Sequence, residues 1–301
     1  MIQTLRQKLR TQRGQDLTMA ILFILPVVLF LLFLAYPILE NFRLSFTDKG
    51  LLSLTYSYIG IENFKELVLD SDFWQSFLIT FIWMVATVSL QLVLGTAVAL
   101  VLHRRFFGRG FVRSITLVPY LTPPVIVALL WSWLLNEPYG LINHLLIWIG
   151  IINEPIIWLG SFTLTFPVLI FVGVWEYFPF VTITVLARLQ TIPPELPEAA
   201  TVDGATAWQV FRYVTLPQLK SVYFIIIVLR GVWMFNKFDL PYLLTGGGPG
   251  RSTLTLPILA YRATFVRFDM GMGAAINIFI FITLAIGALI YFRIYKLEEQ
   301  I

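Results

Sequence analysis

The chain has 301 residues, 58% of them hydrophobic and only 13% charged, with a formal net charge of +4. A soluble domain carries about 25% charged residues, so a soluble globular protein is excluded. With no cysteine, disulfides, thiolate metal sites and cysteine nucleophiles are excluded too, and no basic, aromatic-interleaved patch offers a nucleic-acid partner.

The hydrophobic residues run in long blocks. Residues 17–39, 73–102, 114–136 and 270–292 carry no charge; 155–180 is broken only by Glu176, and 221–244 only by Arg230, Lys237 and Asp239. Each block reaches the roughly 20 residues that cross a bilayer core. Six transmembrane helices are therefore expected in one domain over 17–297, after an N-terminal segment of residues 1–16. The first block is too long for a cleaved signal peptide and reads as a retained helix.

Basic residues set the orientation, because short cytoplasmic loops keep them. One set of loops holds thirteen, in 6–13, 104–113, 188–220 and 293–296; the opposite set holds six, in 43–65 and 251–267. Both termini and the loop 189–220 are thus expected in the cytoplasm of a bacterial-type cell (inner) membrane. On the other face, 41–72 and 138–154 place Phe64, Leu67 and Val68, or Leu141, Leu145, Leu146 and Trp148, at roughly helical spacing. They are expected to lie in the lipid interface.

The loop 189–220 is longer than a turn between helices needs. Pro193-Pro194 ends one helix and suits entry to another, Glu195 and Glu198 fit the first turn of a helix dipole, and Gly204 ends that short helix. The segment Trp208–Tyr213 is amphipathic, and Pro217 is expected to start the next membrane helix. On these grounds alone the loop is either a helical linker or a docking surface.

Glu198-Ala199-Ala200, three residues, Gly204, nine residues, Val214-Thr215-Leu216-Pro217 resembles the EAA loop of binding-protein-dependent ABC importer permeases. Val214 and Pro197 depart from the usual residues. Thr245-Gly-Gly-Gly-Pro249 with Ser252-Thr253 resembles an outer loop of carbohydrate permeases of the maltose, glycerol-3-phosphate and trehalose type. Tyr36-Pro37, Ser45-Phe46 and Ile59-Gly60-x-Glu62-Asn63-Phe64 resemble the start of that group's first permease subunit.

The resemblance implies an all-α membrane protein with the type I ABC importer permease fold: six transmembrane helices and a cytoplasmic coupling helix. It assigns ATPase coupling to Glu198, Ala199, Ala200, Asp203, Gly204, Leu216 and Pro217. Contact with an extracytoplasmic solute-binding protein falls to Gly247, Gly248, Pro249, Ser252 and Thr253. The partners implied are a second related permease and two ATPase subunits, within membrane lipid. No cofactor is expected on this chain, ATP and Mg belonging to the ATPases. The chain is then no enzyme but the translocation path for a sugar or sugar-derived solute; a secondary transporter or channel is the alternative.

Gly246–Thr253 has a superficial likeness to a phosphate-binding loop but lacks its first glycine and its lysine. Charges inside the bilayer are costly and line cavities. A solute path is therefore expected at Glu176, Tyr177, Arg230, Trp233, Asn236, Lys237, Asp239 and Asn277. Glu176 and Arg230 lie at similar depth and could pair, either as a structural bridge between the fourth and fifth helices or at the solute. Pro179 and Pro241 are expected to kink those helices.

Overall fold

A computed structural model describes residues 2–298. Thirteen helices follow one another: α1 Ile2–Leu44, α2 Glu62–Leu69, α3 Ser71–His103, α4 Arg109–Leu121, α5 Pro124–Leu134, α6 Leu141–Trp148, α7 Thr165–Leu189, α8 Glu195–Val202, α9 Ala207–Gln209, α10 Leu216–Phe235, α11 Asp239–Thr245, α12 Leu256–Tyr261 and α13 Met270–Glu298. Among the described residues there is no β-strand, only two isolated bridges.

Among the described residues, five helices are long and apolar enough to cross a membrane: Leu22–Leu44 in α1, then α3, α7, the run Ala207–Phe235, and Met270–Ile294 in α13. The sixth expected span is a bent pair. α4 and α5 meet at 95° across Thr122-Pro123, where Pro123 and Pro124 cannot continue the backbone ladder. Six spans therefore stand only with this broken one counted.

Two expected spans shift along the chain. The fourth begins at Thr165, ten residues later than the hydrophobic block, because 155–164 is tied down otherwise. Asn143 donates to the Ile156 carbonyl (3.0 Å) and accepts from the Ile156 N–H (3.2 Å) and Trp158 Nε1 (2.9 Å). The Ser161 hydroxyl then accepts the first free N–H groups at Thr163 and Leu164. The fifth span starts earlier and stops earlier than expected. Its helix runs from Ala207 through a π turn, Val210–Thr215, into α10, and it breaks at Asn236. Pro217 therefore does not start the helix. It lacks an N–H for the carbonyl four residues back, and the wider π turn takes up the misfit: Leu216 N–H reaches back five residues, to the Phe211 carbonyl. Pro179 lies inside an unbroken α7, and Pro241 sits in the first turn of α11, where no helical N–H is needed.

α7 is the core helix: 56% of its most apolar window is buried, against none of that of α1. It lies close on α3, because Gly173 has no Cβ; one there would stand 2.4 Å from Trp83 Cη2. Small residues let membrane helices approach in this way. One apolar cluster joins the start of α3 to α12 and α13. A second joins the middles of α3 and α7 to α5 and α11, and a third joins the far ends of α3 and α7 to the start of α10. The expected interfacial segments do contain the short helices α2 and α6, with Val68, Leu69, Leu145 and Trp148 exposed; Leu67 instead points into the core.

Candidate functional site

Two sites stand at opposite ends of the fifth span. At its start, the chain leaves α7 at Gln190 and returns at Leu216. Arg188 closes this excursion at its base, donating from Nε to the Gln218 carbonyl (3.0 Å) and from Nη2 to Gln218 Oε1 (3.2 Å). Between them lies α8, in which no residue is buried.

The ends of α8 explain its motif. Pro193-Pro194 opens it and Glu195 and Glu198 occupy its first turn, as expected from sequence. At the other end Gly204 takes φ +85°, a left-handed conformation that costs other residues about 1–2 kcal/mol. Gly204 N–H then donates to the Thr201 carbonyl (3.0 Å) and Ala205 N–H to the Ala200 carbonyl (2.9 Å), the paired closure known as the Schellman motif. Thr206 restarts the helix with a capping box, its N–H donating to Gln209 Oε1 at 2.7 Å. Glu198, Ala199, Asp203 and Gly204 are exposed and Ala200 half-buried. Leu216 and Pro217 lie apart from this platform, beyond the π turn. Val202, Trp208 and Tyr213 add exposed apolar surface to the same excursion.

At the other end of α10, an open cavity of about 520 Å³ is lined by Tyr120, Tyr177, Arg230, Trp233 and the break Asn236–Asp239, among others. Six of the eight residues expected along a solute path thus converge here. Glu176 lies beside the cavity, on α7 and fully buried, while Asn277 stands exposed on α13 away from it.

Glu176 and Arg230, which lie at similar depth and could have paired, form no ion pair within 4.0 Å of each other. Arg230 is 1% exposed and finds other partners. Its Nε donates to Gln91 Oε1 at 3.0 Å, and its guanidinium carbon lies 4.4 Å from the Tyr177 ring centre, with Trp233 at 5.5 Å and Phe180 at 5.7 Å. Cation–π contact strengthens when desolvated. Gln91 in turn donates to the Gly173 carbonyl at 3.3 Å, so one amide ties α3, α7 and α10 together. Gln91 is not among the residues expected from sequence, although an amide in the middle of the uncharged run 73–102 is a visible signal. Lys237 pairs with Asp239 (Nζ–Oδ1 2.8 Å) and sits 4.8 Å from the Tyr177 ring centre.

The Gly-rich loop after α11 is pinned from within. Thr253, completely buried, donates to the Gly248 carbonyl (2.9 Å) and meets Thr245 Oγ1 at 2.7 Å. Arg262 Nη2 donates to the Gly246 carbonyl at 2.7 Å. Thr253 and the buried Gly247 therefore shape the loop from within. Gly248, Pro249 and Ser252 are half-buried, and Gly250 and Arg251 form the exposed tip.

Residues 91–300 match the model of a family described as the binding-protein-dependent transport system inner membrane component. The chain belongs to this family. Among similar proteins is the trehalose/maltose transport system permease protein MalF of Thermococcus litoralis, 34% identical over 280 residues, covering 93% of this chain and 94% of that protein. Another is the inner membrane ABC transporter permease protein YcjO of Escherichia coli, 34% identical over 270 residues and covering 89% and 90%. A chain of a bacterial ABC transporter involved in import of the acidic polysaccharide alginate has the same fold, with a TM-score of 0.83 at 23% identity over 96% of this chain and 98% of that one. This permease therefore has the type I importer fold that its motifs implied, and a secondary transporter or channel is set aside. In this transport-system component, α8 carries the Glu198-Ala199-Ala200 motif, and the aromatic cavity lies some 35 residues further along the chain.

Proposed function

We propose that the chain is one of two permeases in an ATP-driven importer for a carbohydrate solute. Two ATPase subunits, which hold ATP and Mg, dock on α8, and an extracytoplasmic binding protein delivers solute near the 245–253 loop. α8 and both termini then face the cytoplasm, in keeping with the basic residues of their loops. The observation that carries the coupling role is the platform itself: an exposed helix, closed at its C-terminal end by Gly204 and set in an excursion whose base Arg188 bridges from α7 to α10. Two similar proteins support the solute class, one named for trehalose and maltose and one imaged with an alginate pentasaccharide-bound periplasmic protein. The cavity suits hydroxyl-rich rings, with aromatic faces at Tyr120, Tyr177 and Trp233 beside polar groups at Asn236, Lys237 and Asp239.

In this mechanism, closure of the ATPases displaces α8, and the continuous helix 207–235 carries the displacement to the cavity. Uptake of labelled sugars into proteoliposomes holding the assembled transporter tests it. Glu198→Lys and Gly204→Val should each lower ATP-driven uptake by about tenfold, a loss equal to about 1.4 kcal/mol of coupling, while the protein stays in the membrane and the ATPases continue to hydrolyse ATP. Native uptake by both variants refutes the coupling role. Binding of a panel of neutral and acidic sugars to the partner binding protein tests the solute class, and a preference for amino acids over all sugars refutes it.

A further inference from the structure

A buried carboxylate oxygen without a hydrogen bond belongs to the residue before Tyr177, and a cation on a break in the backbone covers the Tyr177 ring. Glu176 Oε2 is sealed from solvent, and neither it nor the adjoining Tyr177 hydroxyl is in hydrogen-bonding geometry with any group. Leaving a carboxylate in that condition is costly. Arg230 is badly placed to relieve it, being fixed inside α10 by Gln91 and enclosed by three aromatic faces.

Lys237 differs on each count. It occupies the break between α10 and α11, and its ammonium lies over the ring of Tyr177, the residue after Glu176. Its present partner is the Asp239 side chain, which is 41% exposed. Asp239 can thus be left to water, whereas Glu176 cannot.

We propose that Lys237 serves two carboxylates in turn: Asp239 in the conformation seen here, and Glu176 in the alternate conformation of the transport cycle. The inference rests on the importer reading above, since it needs two conformations of the cavity. A motor shifts an equilibrium only where the two states differ in their contacts, and the handover supplies such a difference. Lys237 and Glu176 are positioning residues here, setting the balance between states and the shape of the cavity wall formed by Asn236–Asp239.

The chain lacks cysteine, so Asn236→Cys places a single thiol beside Lys237 for a membrane-impermeant maleimide. In the assembled transporter, the labelling rate of this chain is compared with and without ATP plus vanadate. The expected difference is about tenfold, as for a near-complete population shift seen at one position. Glu176→Gln should abolish the difference at unchanged subunit yield and melting temperature, and so should Asp239→Asn, because Lys237 is then left with a single carboxylate in both states. Lys237→Met should abolish it and Lys237→Arg restore it, which keeps the test decisive if Glu176→Gln fails to assemble. A difference that survives both Glu176→Gln and Lys237→Met overturns the handover, as does an Asn236→Cys transporter with no difference at all. ATP-driven uptake by the unmodified transporter is measured alongside; its absence refutes the importer reading instead.

Discussion

Arg230 brings a guanidinium into the helix bundle where no carboxylate meets it among the described residues, and a side-chain amide takes the place of the missing anion. A hydrogen bond to a charged group contributes about 1.5–3 kcal/mol, and removing one partner of a buried charge costs more than replacing both. Gln91→Leu should therefore destabilise the protein by about 2–3 kcal/mol, read as a lower melting temperature in detergent. Arg230→Met in the same background should recover much of that loss. A double variant as weak as the two losses added would show that Gln91 supports the bundle through packing alone. The same residue marks the limit of sequence reading at this scale. Glu176, Arg230, Lys237 and Asp239 were visible as charges in apolar blocks, but which of them pair depends on angles around the helix axes that spacing along one helix does not give.

At the scale of single elements, α8 is too short to hold itself together; isolated helices need about 12–15 residues. Its stability is borrowed from the Schellman closure at Gly204 and the Arg188–Gln218 bracket at the base of the excursion. Arg188→Leu should open the bracket and raise the number of ATP molecules hydrolysed per sugar imported, with membrane insertion unchanged. An unaltered ratio would mean that α8 is positioned by its docked partner instead. The boundaries of α8 were legible because each is written locally: two prolines at one end, a glycine with positive φ at the other. The start of α7 was not. Hydropathy cannot separate an apolar coil from an apolar helix, and what keeps 155–164 out of the helix is Asn143, more than ten residues away. The bend at Thr122-Pro123-Pro124 had a local signal, yet a continuous hydrophobic block outweighed it.

For the whole molecule, burial separates α1 from the rest. No residue of its most apolar window is buried in this chain, and its packing is against α13, whereas α3, α7 and α10 all pack on one another. A protein without residues 2–44 should keep the cooperative melting of the remaining helices. A broad, non-cooperative transition would show that α1 belongs to the core. Orientation can be read on the same scale, since any introduced thiol is unique. Ala199→Cys should react only with reagents from the cytoplasmic side and Gly250→Cys only from the opposite side; the reverse pattern would invert the topology drawn from the basic loops.

The run Ala207–Phe235 has one further consequence. At about 1.5 Å per residue its 29 residues extend roughly 43 Å, from the exposed platform to the aromatic cavity, with a π turn as its only irregularity. It has the proportions of a drive shaft. On the proposed mechanism, a displacement at Trp208 should reach Arg230 and Trp233 through one helical run rather than through a loop. A flexible insertion at the π turn acts as a clutch, letting the motor idle while the cavity stays still.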